Sequence, residues 1–86
     1  MSTQSIRKVC DMMERAIKHI EQEINAKELR IQNLTERLKK LQSNPNPDPA
    51  QIHEIKKDIQ ELEDQLERDR AQLNAFQEEF SASCGP

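Results

Sequence analysis

The stretch Ser43-Asn44-Pro45-Asn46-Pro47-Asp48-Pro49 is the one interruption in a long leucine and isoleucine repeat. Three prolines at alternate positions fix φ, remove backbone donors and push the residues before them out of the helical region, so no α-helix runs through them. The same stretch restarts a helix. Asp48 suits the N-cap, Pro49 the first helical position, and Gln51 stands three residues after Asp48, where a capping-box partner belongs. The reading is all-α: an antiparallel two-helix coiled-coil hairpin that could pair with a second copy as a four-helix bundle. Residues 1-86 form one domain, with helix 1 over about 4-42, a Pro-rich turn at 43-48, helix 2 over about 49-82 and a frayed C-terminus at 83-86. Ser2, Thr3 and Ser5 offer cap oxygens for the first helix, and Gly85, in a left-handed conformation, with Pro86 would stop the second.

Outward from the turn, apolar residues recur at alternating intervals of three and four, the spacing that keeps one seam facing a partner helix. In the first arm Cys10, Ile17, Ile24, Ile31 and Leu38 take heptad position a, and Ile6, Met13, Ile20, Lys27, Leu34 and Leu41 take d. In the second, Ile52, Ile59, Leu66, Leu73 and Phe80 take a, and Ile55, Leu62, Asp69 and Phe76 take d. Each arm would be about 50 Å long at 1.5 Å per residue. Antiparallel pairing then sets Leu38 against Ile55, Ile31 against Leu62 and Ile17 against Phe76. In that register Arg37 comes near Asp58 and Glu21 near Arg70, while Glu28 opposes Glu63.

Lys27 and Asp69 are the charged residues that interrupt the seam, and they fall in adjacent layers. A charge on an apolar stripe is costly alone, whereas a pair can set register and orientation. The alternative is that each snorkels independently to solvent. Cys10 and Cys84 come together at the open end of the hairpin, where a disulfide would close a long loop; a reducing compartment or simple burial of Cys10 would leave free thiols.

Near the N-terminus Val9 and Ala16 at g and Met12 at c widen the apolar surface beyond what one partner helix needs. With Met13, Phe76 and Phe80 they form the candidate interface. Leu29, at f, is a single exposed leucine.

Composition limits the function classes. Of 86 residues, 34% are charged and 34% apolar, with one glycine and no tryptophan, which suits long patterned helices better than a globular enzyme core. Residues 1-42 carry nine basic and six acidic groups, net +3, and residues 43-86 four and ten, net -6. The acidic second arm argues against tracking a nucleic-acid backbone, although Arg15, Lys18, Lys39 and Lys40 keep a nucleic-acid-binding bundle as the least favoured reading. No apolar run is long enough to cross a bilayer and no signal-peptide block opens the chain, so no membrane partner and a cytoplasmic location are expected. His19 and His53 fall on solvent-facing positions far from the cysteines, and no phosphate-cradling glycine motif occurs, so no metal, cofactor or small-molecule substrate is expected. No catalytic residues emerge. The functional expectation is a noncatalytic protein-protein interaction or assembly module, a scaffold binding a protein partner or a second copy as a homodimer. The alternative is a structural spacer or coiled-coil arm of a larger assembly.

Overall fold

The computed structural model describes residues 3-85 and is an all-α hairpin of two helices, α1 (Thr3–Gln42) and α2 (Pro49–Cys84). The two lie side by side in a rod of 67 × 17 × 15 Å. Ser2, the side chain of Thr3 and Pro86, named above for the helix start and stop, lie outside the described residues.

Local bonds make the tip. Ser43 donates from both its backbone N–H (3.0 Å) and its Oγ (2.9 Å) to the Lys39 carbonyl, and the Asn44 N–H reaches Leu41 O at 3.3 Å. The Asn44 side chain then accepts from the Asn46 N–H at 3.1 Å, an Asx turn around Pro45. Asp48 is extended at φ -87, ψ 109, and its Oδ1 accepts from the Ala50 N–H at 3.0 Å, while its carbonyl receives the first intrahelical bond from Ile52. Pro49 occupies the first helical turn, as its fixed φ allows. The cap is one-sided: Gln51 returns no bond to Asp48 among the described residues. Lys39 and Lys40 sit in the last turn of α1, where positive charge suits the helix dipole.

The seam follows the heptads. Ile20, Ile24, Ile55 and Leu66 are buried, and the other a and d residues are half-buried, with one exception. Ile6 remains 46% exposed, because α2 ends at Cys84 and its seam stops short of that height. The central cluster of Ile20, Ile24 and Leu66 is flanked by Ile31, Leu73 and Phe76. Among the described residues no side chain falls below 2% exposure, because a seam residue covered by a single partner helix keeps one side open to solvent.

The second helix runs further than the periodicity indicates. It persists to Cys84 instead of fraying from residue 83, since Cys84 is held by a disulfide to Cys10 with a Cα–Cα distance of 5.8 Å. Gly85 ends it in an extended conformation at φ -65, ψ 164, which corrects the left-handed stop expected there. What requires glycine is space: a Cβ at this position would lie 2.2 Å from the Ser81 carbonyl oxygen.

Candidate functional site

Three features at defined heights distinguish this hairpin from a plain two-helix seam. The first is the disulfide. Cys10 and Cys84 are separated by 74 positions and joined at the open end, and no free cysteine remains. It closes the rod opposite the proline tip.

The second is a four-charge group at mid-length. Lys27 Nζ donates to Asp69 Oδ2 at 2.5 Å, with both side chains about one-fifth exposed (22% and 21%). The next residue on each helix makes a second bridge of reversed polarity, from Arg70 Nη2 to Glu28 Oε1 at 3.3 Å, with exposures of 56% and 50%. The seam charges are therefore paired across the helices, as their adjacent layers suggest. Arg70 does not pair with Glu21, however. Because Lys27–Asp69 brings the neighbouring turns together, Glu28 lies within reach and takes the guanidinium. Arg37 and Asp58 likewise form no ion pair, and Asp58 stays half-buried beside the seam. The partly buried bridge has the greater energetic leverage, since exposed pairs contribute only about 0 to 1 kcal/mol.

The third feature is an apolar flank at the open end. Met12 is 65% exposed and Val9 45%, both large for aliphatic side chains beside a core. Val9, Met12, Met13, Ala16 and Phe76 line one shallow depression of about 270 Å³, almost wholly apolar. Met13 and Phe76 continue it into a second hollow with Ala75 and Glu79, so the strip crosses from α1 to α2. Ile6, Val9, Cys10 and Ser83 extend it towards the disulfide.

Phe80 is placed differently from the other residues of the expected interface. It lines a hollow with Glu14, Ile17, Lys18, Glu21, Gln77 and Ser81 on the opposite flank, which is largely polar. The hairpin thus has two unlike sides. One carries heptad positions g and c and is apolar near the open end; the other carries e and b and bears the Glu28–Arg70 bridge. Ala75 and Glu79 belong to the first side as well.

The histidines are exposed at separate places, His19 on α1 and His53 near the tip. Among the described residues no three His, Cys, Asp or Glu are grouped to hold a metal ion, and no helix is long and apolar enough to cross a membrane. No known protein family, curated protein or solved structure matches the chain.

Proposed function

We propose that the chain is a noncatalytic protein-interaction module that docks through the g and c flank at the open end of the hairpin. The observation that carries this reading is the contiguous apolar strip from Ile6 through Val9 and Met12 to Phe76, exposed on one side of a rod whose other side is polar. Apolar residues scattered singly need no explanation, but a rimmed strip that crosses two helices marks a surface made to be covered. The disulfide adds rigidity where the strip lies, so little ordering entropy is lost on docking. As part of this reading, the Cys10–Cys84 bond favours an oxidising compartment over the cytoplasm, where thiol reductants open such bonds.

The test replaces Val9, Met12 and Ala16 together with glutamate. Assembly or partner binding should be lost while the far-ultraviolet circular dichroism stays helical. Unchanged solution mass and unchanged partner affinity would refute the reading. A second reading, a spacer arm in which length matters, draws on the 67 Å rod and on a tip held by its own local bonds. It predicts sensitivity to one-heptad deletions from both arms with the open-end strip intact.

A further inference from the structure

Resting on the docking reading above, we infer that the occupant of the apolar flank is a second copy of this chain, packed by a twofold axis parallel to the hairpin, with both proline tips at the same end. Three observations carry this: unsatisfied area, apolar placement and a charge pattern that matches itself.

The chain exposes 6763 Å². A compact monomer of 10.0 kDa would expose roughly 5,200 Å². A face of 67 × 17 Å offers roughly 1,100 Å² per copy, above the approximately 800 Å² per partner of a standard interface. One flank is therefore large enough to hold an interface of standard size.

A twofold along the rod leaves every residue at its own height and lays α1 of one copy over α2 of the other. Heights follow from the disulfide, where Cys10 and Cys84 are level. Stepping along both helices from there brings Met12 level with Ala82, and Ala16 within one turn of Ala75. The exposed Met12 side chain would therefore meet small residues of the partner's second helix. Knob faces hollow twice, once in each direction, as an isologous contact requires.

The charges on the same flank towards the tip and at mid-length obey the same operator, whereas Glu79 near the open end has no basic g or c partner at its height. Towards the tip, α1 carries Arg30, Arg37 and Lys40 at g and c, and α2 carries Glu54, Asp58 and Glu61. None of the six forms an ion pair within the hairpin, where the bridges among the described residues are Lys27–Asp69 and Glu28–Arg70. Lys40 is level with Glu54, Arg37 is within one residue of Asp58, and Arg30 is within one turn of Glu61. At mid-length the signs reverse on both helices together, Glu23 on α1 and Arg68 on α2, and the match survives. The other closed arrangement, with tips at opposite ends, lays α1 over α1. It sets the basic tip end of one copy over the apolar open end of the other, so the pattern selects the parallel bundle.

Two measurements on the full disulfide-bonded chain test this. Sedimentation equilibrium should give twice the chain mass, with Met12→Glu returning the monomer. Arg37→Glu alone and Asp58→Arg alone should each weaken the dimer about tenfold, and the double variant should recover most of that loss, because each copy then re-forms both contacts. A spin label placed at Asn46 through an encoded azide, which spares the cysteines, should show tip-to-tip separations of about 20 Å or less, given helix spacings near 10 Å. A separation on the order of 60 Å, near the 67 Å length of the rod, would overturn the parallel operator. A monomer at concentrations up to about 100 μM would overturn the self-pairing itself. In that case loss of a different protein partner on the Met12→Glu change would leave the docking reading standing, and its persistence would remove both.

Discussion

Opening the disulfide is the perturbation whose size follows most directly from the structure. Cys10 and Cys84 are 74 positions apart, so the bond constrains nearly the whole unfolded chain. In the chain-entropy model a closed loop of that length stabilises the folded state by roughly 4.5 kcal/mol. This is comparable to burying two of the four core aliphatic side chains, each contributing about 1.5 to 3 kcal/mol. Scaled to 86 residues, the unfolding entropy is roughly 180 cal/mol/K near the midpoint, so the loss lowers Tm by about 25 °C. The assay is thermal denaturation followed by circular dichroism at 222 nm, on the native protein and the Cys10→Ser/Cys84→Ser variant at one fixed concentration, since assembly also moves the midpoint. Melts that coincide within about 5 °C would refute the loop-closure reasoning, as would free thiols found in the native protein by a thiol-reactive dye.

Four smaller perturbations separate the local devices. Lys27→Leu alone or Asp69→Leu alone leaves a partly buried charge without its partner and should cost about 1 to 2 kcal/mol in urea denaturation, whereas the double replacement should be neutral or stabilising while loosening the register. Misfolding of the double variant would count against that account. Asp48→Ala removes the acceptor for the Ala50 N–H and should cost about 1 kcal/mol by the same assay, with Asp48→Asn close to native. Arg70→Ala breaks a bridge between half-exposed groups and should change stability by less than about 1 kcal/mol; a larger loss would mean that the mid-length charges act as a network. Gly85→Ala should shift the last turn of α2, because the added methyl meets the Ser81 carbonyl; unchanged amide chemical shifts for residues 81 to 84 would contradict that contact.

The chain announces its architecture because a heptad repeat and a proline run each have one physical reading. Angular position around a helix is set by 3.6-residue geometry, so the a and d residues could be named in advance, and their burial follows, with Ile6 the exception. Axial offset is less legible. Lys, Arg and Glu side chains reach across more than a turn, so the sequence does not decide between Glu21 and Glu28 for Arg70. That choice depends on the neighbouring Lys27–Asp69 contact. Phe80 illustrates a related limit: position a places it on the seam without saying which side its ring leans towards, and it leans to the polar flank. The end of α2 follows from whether the Cys10–Cys84 bond forms, which the sequence offers as an alternative without deciding it. The Val9, Met12 and Ala16 strip was visible as a departure from the two-helix pattern, but its continuation over Ala75 depends on how the arms lie together.

The joined cysteines also determine how the molecule would carry force. A pull applied to the chain on either side of the Cys10–Cys84 bond passes from one strand to the other through two sulfur atoms, and the 73 residues between them bear none of it. Without that bond, the same pull would unzip α1 from α2 layer by layer, beginning at the open end where the apolar strip lies. With it, tension in the flanking chain bypasses Met12, Met13, Ala16 and Phe76, while Ile6 and Val9 lie outside the loop, and reduction of one bond would be enough to put the rest of the strip under load.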